Sequence, residues 1–151
     1  MPVEPTAGGL VGPLVIDASV AVEYLVALSL TAQAQAVFRR VVDGDVELWA
    51  PDLIYAESVS ALRRLGRLKA IRPSEAEAAV RRLVQLPLTV TGTASFMTRA
   101  WELRDTVTPY DACYVALAEG VDALLITADR RLERALARRR GAMAIFLGDL
   151  D

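Results

Sequence analysis

Short apolar runs alternate with longer amphipathic stretches along most of this chain. Leu14-Val15-Ile16 is an apolar run closed by Asp17, and it predicts a strand buried on both faces. Ala18 to about Leu28 and Thr31 to Val42 read as helices, the second stopped by Asp43-Gly44-Asp45. Glu47–Ala50 predicts a second strand ended by Pro51, and Asp52–Leu68 a helix with Ile54, Ala61, Leu62, Leu65 and Leu68 on one face. Pro73-Ser74 opens a further helix to about Leu86, and Leu88–Thr91 is a third strand. Thr93–Asp105 and Thr108–Glu119 read as helices, and Ala123–Thr127 as a fourth strand. Asp129–Arg139 is helical and ended by Gly141, and Met143–Leu147 is a fifth strand. Strands separated by helices need crossover connections. The expected fold is therefore α/β, three layers, with a five-stranded parallel sheet between helices. Residues 1–12 are expected to be a loose tail before one domain spanning 13–151.

In such a sheet, ligands bind beyond the carboxyl ends of the strands, where the strand order reverses. Asp17 follows the first strand and Thr127-Ala128-Asp129 the fourth; Pro109-Tyr110-Asp111 opens the helix that leads into the fourth. Three aspartates from distant parts of the chain thus converge on one edge. Each alone has a plain structural reading. Asp17 and Asp129 suit helix N-caps, and Asp111 completes a Thr-Pro-x-Asp helix start. Glu57 does not fit that reading, because it lies beyond the cap region at the edge of the apolar face. A carboxylate there needs a partner, with Arg63 or Arg64 as the structural candidates. Glu119 is a further acid that can line the same cleft. Cys113 is a small core residue, and Phe96 and Trp101 are expected in the core.

The composition narrows the chemistry. The chain has no histidine and one cysteine, which excludes imidazole-dependent catalysis, a disulfide within the chain and Cys/His zinc sites. Clustered carboxylates raise one another's pKa, and a hard divalent cation, Mg²⁺ or Mn²⁺, resolves that conflict through oxygen ligands. The net charge of −2 gives no global nucleic-acid signal. Arginines nevertheless cluster at 63, 64, 67 and 72 with Lys69, and again at 130, 131, 134, 138, 139 and 140. Arg130 and Arg131, beside Asp129, are the best placed to meet a phosphate. No basic segment precedes an apolar run at the start, and Asp17 and Glu23 interrupt the apolar stretch from 14 to 30, so a cytoplasmic location is expected.

Four segments together resemble the PIN-domain ribonucleases, and most closely the VapC-type toxins of type II toxin-antitoxin systems. They are Val15-Ile16-Asp17-Ala18-Ser19, Ala50-Pro51-Asp52-Leu53-Ile54-Tyr55-Ala56-Glu57, Thr108-Pro109-Tyr110-Asp111-Ala112-Cys113-Tyr114-Val115-Ala116-Leu117-Ala118 and Leu125-Ile126-Thr127-Ala128-Asp129-Arg130-Arg131-Leu132. The resemblance implies Asp17 and Asp111 as principal Mg²⁺ ligands, with Glu57 and Asp129 completing the acidic pocket through water or a second ion. It implies hydrogen-bonding roles for Ser19 and Thr127. The implied reaction is endonucleolytic cleavage of RNA by metal-activated water. The implied partners are a cognate antitoxin that blocks the site, often with an inserted Arg, and a second copy in a homodimer.

Two doubly wound alternatives fail on residues. A receiver-type phosphoacceptor needs paired acids after the first strand and a lysine after the last, whereas Ala18 follows Asp17 and Leu147-Gly148 ends the last strand. An Asp-x-Asp phosphatase fails because Ser19 stands at the second position. The remaining alternative is a catalytically silent PIN-like module that binds RNA or a partner, and the presence of all four acids weighs against it.

Overall fold

Five runs rich in Leu, Val and Ile build one parallel sheet at the centre of the computed structural model, which describes residues 7–139 and 143–151. In chain order the elements are β1 (Gly12–Ile16), α1 (Ala18–Leu25), α2 (Thr31–Val42), β2 (Val46–Pro51), α3 (Leu53–Arg67), α4 (Pro73–Leu83), β3 (Leu88–Thr91), α5 (Met97–Glu102), α6 (Pro109–Gly120), β4 (Leu124–Thr127), α7 (Arg130–Ala137) and β5 (Ala144–Phe146). Leu14, Val15 and Ile16 of β1 and Leu125 and Ile126 of β4 are almost wholly buried, as strands covered on both faces must be.

The spatial order is β3-β2-β1-β4-β5, every pair parallel. β1 is therefore central, with Leu14–Ile16 in register with Leu124–Ile126 on one side and Gly12–Val15 with Val46–Trp49 on the other. The chain winds outward from β1 to β3, crosses back over β1 to β4, and winds outward again. Right-handed crossovers then put α1–α4 on one face and α5–α7 on the other. α1 packs on α2, α3 and α4, while α6 packs across β1, β2 and β4. The order reverses between β1 and β4, so a crevice opens beyond their carboxyl ends.

Several expected boundaries move for local reasons. α1 ends at Leu25 because Val26 turns extended, and Thr31 Oγ1 then accepts from the Leu28 N–H and donates to the Glu23 carbonyl. Gly44, at φ +80°, allows the left-handed turn that closes α2. The single helix expected over Thr93–Asp105 is a 3₁₀ turn at Ala94–Phe96 followed by the short α5. Of the expected tail, residues 1–6 lie outside the described residues. Ala7–Gly9 form a 3₁₀ turn, and Ala7 and Leu10 are buried in the main core, so packing begins earlier than residue 13. Gly141, the expected stop of the last helix, and Arg140 also lie outside the described residues. Among the described residues, no helix is long and apolar enough to cross a membrane.

Candidate active site

The residue after β1 is a buried carboxylate tied down by three hydrogen bonds. Asp17 is only 6% exposed and lies at the start of α1. Its Oδ1 accepts from the Val20 N–H (3.2 Å) and from the Ser19 hydroxyl (2.5 Å), and its Oδ2 accepts from the Thr127 hydroxyl (2.5 Å). It is thus an N-cap and a buried acid together; the helix-capping reading accounts for one of three bonds. Burial pushes its carboxyl up to about 6, against the lowering effect of these donors, and Asp111 nearby adds to the rise.

Ser19 and Thr127 have a second task. Ser19 Oγ accepts from the Ala128 N–H (2.8 Å) and Thr127 Oγ1 from the Asp129 N–H (3.0 Å). Two hydroxyls therefore join the β1–α1 turn to the β4–α7 turn and fix Asp17 between them. Thr127 is fully buried.

Asp111 stands in the first turn of α6, where Thr108 caps the helix by accepting the Asp111 N–H (3.1 Å) and Pro109 takes the first position. Burial raises its pKa, the Thr108 hydroxyl opposes this, and the Asp129 carboxylate raises it further. Asp129 caps α7 by accepting the Arg131 N–H (2.8 Å), and its Oδ2 lies 3.3 Å from the Arg131 guanidinium.

Glu57 reaches the same place from α3. Neither Arg63 nor Arg64 pairs with it. The Tyr114 hydroxyl, from the opposite layer, donates to its Oε1 at 2.7 Å. Burial raises the Glu57 pKa, the tyrosine bond lowers it, and Asp111 raises it. The Tyr114 hydroxyl is in turn pushed far up by burial and by Glu57, and stays protonated. Tyr114 was not singled out from sequence. Its signal was its place one turn beyond Asp111, on the same face of α6.

Asp111 thus perturbs, or is perturbed by, each of the other three acids. Among the described residues, no three Asp, Glu or Cys side chains are close enough to enclose a metal ion by themselves. The donors are all hard oxygens and the acids are raised by desolvation and one another. That chemistry fits a cation such as Mg²⁺, which takes one or two carboxylates and completes its shell with water and substrate oxygens.

Other expectations sort differently. Arg130 lies at the β5 end, where it forks onto both oxygens of Asp149 (2.6 and 2.7 Å) over the Phe146 ring, while Arg131 stays beside Asp129. Glu119 is held by Arg99 (2.8 and 3.1 Å) and takes no part in the acidic group. Cys113 is buried, its Sγ donating to the Pro109 carbonyl, and Phe96 packs against the core, both as expected. Trp101, expected in the core, is 69% exposed, because the short α5 leaves that face uncovered. Two clefts adjoin the acids. One, of about 380 Å³, runs from Glu57 past Arg63, Arg64 and Arg67. The other, of about 420 Å³, contains Asp111, Asp129 and Arg131.

Comparison with known proteins identifies the family to which this fold belongs. The family model for the PIN domain matches residues 14–137. Ribonuclease VapC3 of Mycobacterium tuberculosis is 38% identical over 122 residues, covering 81% of this chain and 86% of that protein. Ribonuclease VapC9 of the same species is 35% identical over 119 residues, covering 79% and 87%. The crystal structure of VapC20 from M. tuberculosis, described as a sarcin-ricin loop cleaving toxin, superposes with a TM-score of 0.59 at 16% identity over 82% of this chain and 95% of that one. VapBC2 of Rickettsia felis, bound to a promoter DNA fragment, contains a chain that superposes with a TM-score of 0.62 at 10% identity over 89% and 98%. The chain belongs to the PIN-domain family, in its VapC ribonuclease branch.

Proposed function

We propose that this protein is a Mg²⁺-dependent endoribonuclease toxin, held inactive by a cognate antitoxin. The observation that carries this reading is the row Glu57, Asp17, Asp111 and Asp129 at the reversal of strand order, with Asp17 fixed by Ser19 and Thr127. Asp17 and Asp111 would hold the ion directly, and Glu57 and Asp129 through water or a second ion. A bound Mg²⁺ supplies Lewis acidity to the phosphodiester and makes a water acidic enough to attack it.

The protein supplies position and proton handling. Ser19, Thr127 and Val20 keep Asp17 from turning. Tyr114 holds Glu57 by Oε1, while Oε2 accepts no hydrogen bond among the described residues. With its raised pKa, Glu57 is suited to take a proton from the attacking water at Oε2. Arg131, already at the pocket, turns from Asp129 to a substrate phosphate.

The partners follow from the family likeness, which includes a VapBC complex. A cognate antitoxin would present a cation, such as an Arg, to these acids and occlude them, and the toxin works in the cytoplasm as a homodimer. Purified protein should cleave members of an RNA panel with Mg²⁺ and not with EDTA, and Asp17→Asn should be inactive. Equal cleavage by wild type and Asp17→Asn overturns the site; no cleavage of any RNA by wild type favours the silent binding module. Growth arrest on expression should be relieved by the product of a small adjacent reading frame.

A further inference from the structure

We propose that the cleft between the α5–α6 connection and α7 is a subsite for the RNA strand flanking the cut, with Arg104 and Arg131 on its phosphates and the Trp101–Arg104 pair as its stacking platform. This rests on the nuclease reading above. The cleft is walled by Arg104–Thr108 on one side and by Arg131, Leu132 and Ala135 on the other, and it ends on Asp111 and Asp129. A strand that fills it therefore reaches Asp111 and Asp129. Carboxylates alone repel a polyanion, and the two cations in the cleft are arginines, which grip phosphate bidentately.

Four arginines of this layer, Arg99, Arg104, Arg130 and Arg131, divide by what they already hold. Arg99 is fixed by Glu119 and Glu102, and Arg130 by Asp149 and Glu133. Arg131 has a side chain 93% exposed and one ion-pair partner, Asp129. Arg104 meets only the outermost part of Asp105, at 4.0 Å. It is held in place by neutral contacts instead: a bond to the Trp101 carbonyl (2.8 Å) and the indole ring, 4.6 Å from guanidinium carbon to ring centroid. That arrangement orients a cation without neutralising it. An exposed indole capped by a guanidinium offers two flat surfaces on which a base can stack, and single-stranded RNA binds through such stacking and phosphate contacts together.

Met97, one turn before Trp101, is also exposed, so the rival occupant of this face is a second copy of the chain. The cationic cap on the indole and Arg131 across the cleft favour RNA.

The test is fluorescence anisotropy of labelled single-stranded RNA in EDTA, where cleavage is absent. It compares wild type, Trp101→Ala, Arg104→Ala, Arg131→Ala and the control Arg39→Ala on α2, with sedimentation of each variant and cleavage kinetics in Mg²⁺. Trp101→Ala and Arg104→Ala should each weaken binding about 5- to 10-fold and raise KM with little change in kcat, and Arg104→Ala should lower the salt slope by about one. Arg39→Ala should bind like wild type. If wild type cleaves RNA while all the cleft variants bind like wild type, the subsite is wrong and the nuclease reading stands. If Trp101→Ala turns a dimer into monomers without changing RNA affinity, the face belongs to a second copy. If wild type neither binds nor cleaves RNA, both readings fall.

Discussion

The acidic site has an inner and an outer half, and they are held by opposite means. In the inner half, Asp17 and Glu57 are gripped by hydroxyls, from Ser19, Thr127 and Tyr114. In the outer half, Asp129 is met by a guanidinium, that of Arg131. A hydroxyl fixes a carboxylate without cancelling its charge, so the inner half is rigid and short of positive charge. A guanidinium cancels charge but is free to leave. The inner half is thus built for something that stays, and the outer half for something that comes and goes.

The largest effect that would break this contrast is loss of an inner acid. Asp17→Asn should lower Mg²⁺-dependent cleavage by about 10³-fold or more, whereas Arg131→Ala should raise KM and leave most of kcat. Comparable kcat losses in the two variants would erase the division between halves.

A second effect concerns pH. The folded pKa of Asp17 is raised to about 6 from an ordinary value of 3.8. A raised folded pKa means that this group's stabilising contribution is complete below about pH 4 and is lost as pH climbs through about 6. Without divalent ions the protein should therefore lose on the order of 2 kcal/mol between these limits from this group. Thermal melts in EDTA should show it, Asp17→Asn should flatten it, and added Mg²⁺ should stabilise more at pH 8 than at pH 5. Identical Mg²⁺ stabilisation at both pH values would show that Asp17 is not where the ion is felt.

Thr127→Val keeps the volume and removes the hydroxyl between Asp17 and the Asp129 N–H. It should destabilise by about 1–3 kcal/mol in urea melts, while Thr127→Ser recovers most of that. Smallest is Tyr114→Phe. Losing the donor that lowers the Glu57 pKa should move the acid limb of the kcat profile to higher pH and cost about tenfold in rate at neutrality. An unmoved limb would detach Glu57 from proton transfer.

The sheet was legible in the sequence because buried parallel strands leave uninterrupted apolar runs, as in Leu14–Ile16 and Leu124–Ile126. Their carboxyl-end acids were legible because the topology sends those ends to one edge. What escaped were partnerships between residues far apart in the chain. Arg63 and Arg64 were the structural alternative for Glu57 on its own helix, yet Tyr114, 57 residues away, supplies the bond. Arg130 and Arg131 look equivalent as neighbours, but about 100° of helix rotation sends one to Asp149 and leaves the other at Asp129. Trp101 read as core rather than as a stacking platform, but it lies exposed on an α5 of only six residues.

The hydrogen bond from Thr127 to Asp17 spans 110 positions of sequence. β1, β2 and β3 can pair before the last third of the chain exists, but Asp17 Oδ2 lacks its Thr127 donor until β4 slides in beside it. A ribosome making this protein therefore carries an unfinished chain that lacks Asp111 and Asp129 for most of its synthesis. The four acids therefore stand together only once α6, β4 and the start of α7 have been made.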